Sequence, residues 1–206
     1  MNNYEIDLEM VKENGMDIIF VEHQTDEICL IAVGQNGMAL QYVENQTDEI
    51  CLIAVGQNPM SLRDVIKQTY VMCLIAVRQK GLALKYVKWD EVNFTKEQIN
   101  NLYLEAVKQN GLALRYVKKQ TEEICLESVR NNGLALEYIK EQTPKLCLEA
   151  VRQNGLALNY SQYKTEEICL EAVKQNGLAL RYVKKQTDEI CLEAVKQNPQ
   201  ALEFVY

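Results

Sequence analysis

Apolar positions fall in adjacent pairs along this chain. Between Thr165 and Gln186 they lie at Ile168, Cys169, Ala172 and Val173, then at Leu178, Ala179, Tyr182 and Val183. Spacing of i, i+1, i+4, i+5 marks one face of a helix. The first half therefore predicts a helix of ~11 residues, near the average length. Thr165 is suited to its N-cap, and Glu166 and Glu167 stand in the first turn, where the helix dipole favours negative charge. Asn176 before Gly177 ends this helix and caps a second, of ~8 residues. At the same junction Asn58-Pro59 and Asn198-Pro199 place proline at the first helical position. Leu170 and Leu180 stand off the main faces, so each helix packs on more than one side. Isolated helices shorter than ~12 residues are marginal in water, so these require stacking. A leucine-rich repeat fails, because its pattern requires an apolar residue where Glu171 stands.

The unit recurs. Cys29, Cys51 and Cys73 are 22 residues apart, as are Cys125, Cys147, Cys169 and Cys191; Asp7 and Tyr103 occupy the same column, giving nine copies. Self-similarity at this period is the mark of a solenoid. The expected fold is all-α: an α-solenoid of nine 22-residue helix-turn-helix repeats, one domain over residues 1–206. One step, Cys73 to Tyr103, is 30 residues, which places an insertion at residues 88–98 between repeats 4 and 5. It carries the only tryptophan, Trp89. Thr95 and Gln98 form a capping-box pattern and Phe94 with Ile99 a hydrophobic staple. The first helix of repeat 5 is thus expected to start near Thr95, about two turns earlier than in the other copies, with Trp89 on the loop before it.

Composition narrows the chemistry. Cysteines one repeat apart lie ~10 Å apart, beyond the ~7 Å Cα separation of a disulfide, and no short C-x-x-C pair suggests zinc. They read as small buried hydrophobes in a reducing compartment. Met1–Leu8 does not resemble a signal peptide, and no apolar run reaches the ~20 residues of a membrane span; the expected location is cytoplasmic. The formal charge of −7 is uneven. Residues 1–66 hold 12 acids and 2 bases, a net of −10, and residues 67–206 hold 17 acids and 20 bases, a net of +3.

The motifs C-L-E-A-V-K-Q-N (Cys169–Asn176) and A-L-x-Y-V-K-x-Q-T (Ala179–Thr187) resemble the repeats of domain of unknown function 4116, seen in large DNA viruses, protists and some bacteria. The resemblance covers almost the whole chain. It implies a helical repeat and, as a context, a viral protein in the host cytoplasm. It supplies no activity, cofactor or catalytic residue.

Departures from the repeat carry the functional expectations. Repeat 1 is polar, with Asp7 for the cysteine and Asp17 for the alanine of Ala39 and Ala179, as a terminal repeat requires. This places the Cys and Ala columns against the preceding repeat. Gln200 replaces Leu178, which places that leucine column against the following one. Phe204-Val205-Tyr206 leaves the last repeat with little polar cover, which is either fraying or a surface for homodimerisation through the C-terminal repeat. Repeats 5 to 9 carry Glu105, Glu127, Glu149, Glu171 and Glu193 in mid-helix, where repeats 2 to 4 carry Ile31, Ile53 and Ile75. Three residues on, Gly34 and Gly56 replace Lys or Arg, and Tyr70 and Val71 replace the first-turn acids of repeat 4. Either Ile31, Ile53, Ile75, Tyr70, Val71, Trp89 and Phe94 form a partner-binding surface, or Trp89 and Phe94 fold onto the local stack and the isoleucines cover an internal bend.

No metal cluster, phosphate loop or paired-acid site is present in the sequence; the lone His23 reads as a solvated loop residue. The expectation is a non-enzymatic scaffold for protein–protein interaction, with no cofactor and an unknown protein partner. The alternative is a nucleic-acid binder using the basic repeats 5–9, with Lys118, Lys119, Lys184 and Lys185. The acidic first third and a buried-looking tyrosine column (Tyr116, Tyr182) disfavour it.

Overall fold

A computed structural model describes residues 3–206. Nine repeats follow one another along the described residues, each an α-helix followed by a short 3-10 helix, and no strand occurs among the described residues. The protein is an α-solenoid. The α-helices are α1 (Asn3–Glu13), α2 (Asp26–Gln35), α3 (Asp48–Gln57), α4 (Tyr70–Gln79), α5 (Lys96–Gln109), α6 (Glu122–Asn131), α7 (Pro144–Gln153), α8 (Glu166–Gln175) and α9 (Asp188–Gln197). No helix among the described residues is long and apolar enough to cross a membrane. The repeats fall into two compact units, residues 1–105 and 106–206, which divide within α5. In the first, α1 to α4 pack successively; in the second, α6 to α9 do.

Local capping follows the sequence. Thr165 accepts a hydrogen bond from the Ile168 amide, and the equivalent threonines do the same in α2, α3, α4, α6, α7 and α9. Asn176 closes α8 and its side chain accepts from the Leu178 amide. At α5 the capping box is complete: Thr95 and Gln98 exchange bonds of 2.9 and 3.2 Å. α5 has 14 residues where its neighbour α6 has 10. It therefore starts about one turn early, not two.

The second helix differs from the expectation. It is a 3-10 helix of six residues, such as Gly177–Tyr182, not an α-helix of about eight. Its bonds run from Ala179 N to Asn176 O and from Val183 N to Leu180 O. With three residues per turn, positions three apart eclipse. Gly177, Leu180 and Val183 are accordingly buried, while Leu178 and Tyr182 are half-buried. Leu180, off the main face in an α-helical reading, is a fully buried core residue.

The two ends reveal which column faces which neighbour. Ile6 is 49% exposed, whereas Ile28 and Ile50 in the same column are 0% exposed; Asp17 is half-exposed where Ala39 is buried. These columns face the preceding repeat. At the other end Leu202 is 65% exposed against 0% for Leu180, and Cys191 is half-exposed while the other cysteines are buried. The cysteine column therefore faces the following repeat, the reverse of the expectation. Asp7 of repeat 1 is polar without being an end-face residue.

Two amide ladders set the distance between repeats. Gln142 is the fullest example. Its Nε2 donates to Leu136 O at 3.1 Å and to Tyr160 O at 3.0 Å. Its Oε1 accepts from Gln162 N at 2.9 Å and from the Cys147 thiol at 3.3 Å. Gln24, Gln46, Gln68, Gln120 and Gln186 repeat this clamp onto the next repeat's backbone. The cysteine is thus a buried donor to a fixed amide as well as a small apolar filler. The second ladder runs back the other way: Gln57 Oε1 accepts from Gly37 N at 2.6 Å, Gln153 from Gly133 N and Gln175 from Gly155 N. These glutamines are clamps, not the helix caps that their Asn neighbours are. The glycine is required by close approach: a Cβ on Gly155 would lie 2.3 Å from Ala172 O. No glycine among the described residues has positive φ.

Candidate interaction surface

Each α-helix presents one half-exposed column, built from mid-helix residues that neither clamp nor pack in the core. In the second unit this column is an ion-pair ladder. Arg130 Nε lies 3.3 Å from Glu149 of the next repeat, and Arg152 Nε lies 3.1 Å from Glu171. Within a helix, Lys174 pairs with Glu171 at 3.7 Å and Lys196 with Glu193 at 3.7 Å. The Glu column is therefore tied to the preceding repeat, beyond being merely solvated. Repeat 1 has the same chemistry, with Lys12 bonded to Glu9 at 3.2 Å.

Repeats 2 to 4 interrupt this ladder. Ile31 on α2 and Ile75 on α4 are half-buried, and Ile53 on α3 is 38% exposed. The helices α2, α3 and α4 pack consecutively, so the three isoleucines form one stripe. Ile53 occupies the place of a ladder glutamate: its Cγ2 lies 3.9 Å from where a Gly34 Cβ would stand. A Cβ on Gly56 would meet nothing within 4 Å, so the helix surface is open there. Half-buried Leu30, Leu52 and Leu74 widen the stripe by one residue. Their column is leucine in every repeat, so comparing repeats for exceptions does not flag it. Val71, one turn before Ile75 on the same helix face, is 53% exposed and extends the stripe over α4. The ladder resumes at Arg78, which bonds Glu105 at 2.6 Å.

The insertion's aromatic residues lie elsewhere. Trp89 sits in the turn after repeat 4, its ring 5.2 Å from that of buried Tyr103. Phe94 meets Tyr70 edge-on at 5.9 Å, and the Tyr70 hydroxyl accepts from Asn101 Nδ2 at 2.6 Å. Tyr70, Trp89 and Phe94 are all half-buried. Their rings are spent within the insertion and its flanking helices, and Ile53 stays open. So the structure joins Ile31, Ile53, Ile75 and Val71 in one surface and places Tyr70, Phe94 and Trp89 in two separate ring pairs beside it.

Other groups offer less chemistry. Burial pushes the Cys51 and Cys125 thiols up to about 11 and the Cys73 thiol up to about 12; a thiol held protonated is a poor nucleophile. No group of three metal-binding side chains occurs among the described residues. The tyrosine column is half-buried, not buried, and Arg115 lies over the Tyr116 and Tyr138 rings at 5.4 and 5.3 Å.

Neither the curated proteins nor the solved structures yield a match to the chain. The sequence model of one family, described as "Domain of unknown function (DUF4116)", matches residues 26–69, 101–143, 122–164 and 165–206. Outside these segments lie repeat 1, repeat 4 and the insertion. With most of its length matched, on repeats whose clamps and capping recur from copy to copy, the chain belongs to the DUF4116 family.

Proposed function

We propose that this protein is a non-enzymatic helical-repeat scaffold that docks a protein partner on the stripe of Ile31, Ile53, Ile75 and Val71. The observation that carries this is the interrupted ladder. A column that is ion-paired in repeats 1 and 6 to 9 becomes isoleucine and glycine over α2 and α3. Folding does not ask for the change, since the charged version stacks with the same clamps. Apolar side chains at a position that tolerates charge gain ~1.5–3 kcal/mol each only when something covers them. Tyr70, Trp89 and Phe94, already packed in pairs, stiffen one edge of the surface instead of anchoring the partner.

The test restores the ladder. In Gly34→Arg/Ile53→Glu the two new side chains stand 19 positions apart, as Arg130 and Glu149 do. The variant should melt with the parent, keep its helical circular dichroism and no longer capture the protein that the parent captures in a matched pull-down. If the stripe instead joins two copies of the chain, sedimentation shows a dimer that the variant loses. Equal capture and equal mass for parent and variant would defeat the proposal.

Nucleic-acid binding draws less support. The arginines and lysines of the column are paired with glutamates in repeats 6 to 9, which leaves fewer cations for phosphate neutralisation.

A further inference from the structure

We infer that the partner of this surface is a basic amphipathic helix, an inference that rests on the docking role proposed above. Its first ground is the charge around the stripe. Glu27 and Glu49 stand one turn before Ile31 and Ile53 on the same helix faces, with Asp26 and Asp48 beside them, and all four are exposed. First-turn acids occur in most repeats. What is peculiar here is the missing cation: the column that holds Lys12, Arg78, Arg130, Arg152 and Lys174 is Gly34 and Gly56 in α2 and α3. Residues 1–66 hold 12 acids and only two bases. Both bases are engaged, Lys12 with Glu9 at 3.2 Å and Arg63 with Asp64 at 3.0 Å. Among the described residues Asp26, Asp48 and Glu49 have no ion pair, and Glu27 accepts a bond from the Tyr4 hydroxyl. An apolar stripe edged by uncompensated carboxylates is complementary to leucine-type side chains edged by Lys or Arg.

The second ground is register. Packed helices lie ~8–10 Å apart, so the stripe offers one apolar contact per step of that size. Seven residues of α-helix rise ~10.5 Å, which sets apolar residues i, i+7 and i+14 over Ile31, Ile53 and Ile75. A strand repeats its face every ~6.6 Å and falls out of step. Open surface at Gly56, with nothing within 4 Å of a Cβ, leaves the approach of such a helix unobstructed. Val71 replaces the acid on α4, so the partner's basic residues lie over α2 and α3 and its more apolar end over α4.

The test uses the full chain and synthetic helical peptides of ~18 residues, long enough at 1.5 Å per residue to span the stripe. All carry leucine on one face, with the polar face made of Lys and Arg, of Gln, or of Glu; a fourth is the basic peptide interrupted by proline. Fluorescence anisotropy should show the basic peptide binding about ten-fold or more tighter than the Gln peptide, and no binding of the Glu peptide. Gly34→Arg/Ile53→Glu, which leaves net charge unchanged, should weaken the basic peptide by a similar factor. Asp26→Asn/Glu27→Gln/Asp48→Asn/Glu49→Gln should bring it down to the Gln peptide. A Gln peptide that binds as well as the basic one overturns the charge of the partner and leaves docking standing. Basic peptide that binds the ladder-restored variant undiminished overturns the inference as non-specific attraction. Equal binding of the proline-interrupted peptide overturns the helix, and binding by none of the peptides overturns the inference while the matched pull-down still decides docking.

Discussion

The same substitution, glycine to alanine, should have opposite effects at two classes of position. At Gly155 an added Cβ would lie 2.3 Å from the carbonyl oxygen of Ala172 and 3.0 Å from Asn176 N. Both are backbone atoms of repeat 8, so the clash cannot be relieved by rotating a side chain. Relief needs a separation of about 1 Å between repeats 7 and 8, and overpacking of that kind costs ~1–3 kcal/mol. The same movement stretches the 2.5 Å bond from Gly155 N to Gln175 Oε1. Leaving a buried N–H without its acceptor costs a further ~1–3 kcal/mol. Gly155 is the first residue of its 3-10 helix, so little propensity gain offsets this. The net loss is ~2–6 kcal/mol, a large part of the ~5–15 kcal/mol that stabilises a domain.

At Gly56 nothing lies within 4 Å of the added Cβ, and the backbone has no positive φ. Alanine there should gain ~0.4–1 kcal/mol by restricting the unfolded chain and favouring helix. Urea unfolding followed by circular dichroism measures both, with an unchanged denaturant slope showing that stability alone has moved. A neutral Gly155→Ala would refute close approach as the reason for that glycine. A destabilised Gly56→Ala would show that this glycine serves the fold and remove one support of the docking surface.

Two further effects follow from the amide ladder. Lys164 replaces the clamp glutamine in repeat 8; its Nζ donates to Tyr182 O at 3.2 Å, and burial holds its pKa down. A lysine cannot accept, so Lys164→Gln should restore bonds from Lys184 N and the Cys169 thiol and raise stability by ~0.5–1.5 kcal/mol; an unchanged or lower urea midpoint counts against the clamp. For the thiols, the unfolded chain releases its protons near the ordinary 9.0, whereas native Cys51 and Cys125 hold theirs to about 11. Their contribution to stability is therefore full below pH 9 and declines as pH rises towards 11, and Cys51→Ala/Cys125→Ala should flatten that decline in alkaline unfolding curves. In the native protein half-exposed Cys191 should react first with a thiol reagent, with Cys125, Cys147 and Cys169 reacting only on unfolding; equal rates would show that the following repeat does not cover the column.

The repeat, its capping threonines and the half-exposed column were legible because each is a local or periodic signal. Thr165 and Asn176 cap through bonds to amides two or three residues away, which single-sequence reasoning reaches. The 3-10 form of the second helix was not legible. Leu178, Ala179, Tyr182 and Val183 fit an α-helical face, and the clamp that meets the end of the tighter helix comes from far along the chain, as Gln142 bonds Tyr160 O and Gln162 N, 18 and 20 residues away. The direction of the cysteine column is hidden from the sequence for a related reason. Asp7 for cysteine looks like an end-face change, but the face that repeat 1 leaves open is marked by Ile6 and Asp17. A Gln five residues before every cysteine except Cys169 was visible in the sequence, yet its meaning lies in backbone contacts that no spacing rule encodes.

The division of labour within the repeat explains why this column can change at little cost to folding. Stacking rests on backbone groups, amide side chains and small residues: Gln142 and its equivalents, the close-approach glycines, and the Ala and Cys columns. None of these lies in the column of Ile31, Ile53 and Ile75. Ion pairs half-exposed to solvent contribute at most ~1 kcal/mol, so exchanging the ladder for isoleucine and glycine forfeits little. Energies in a solenoid are approximately sums over repeats and their nearest neighbours, so that small loss stays confined to repeats 2 to 4. The column is therefore free to vary without altering the stack. Three consecutive apolar replacements there, two of them beside carboxylates with no cation in the neighbouring column, fit the docking role proposed above and have no counterpart in the requirements of the fold.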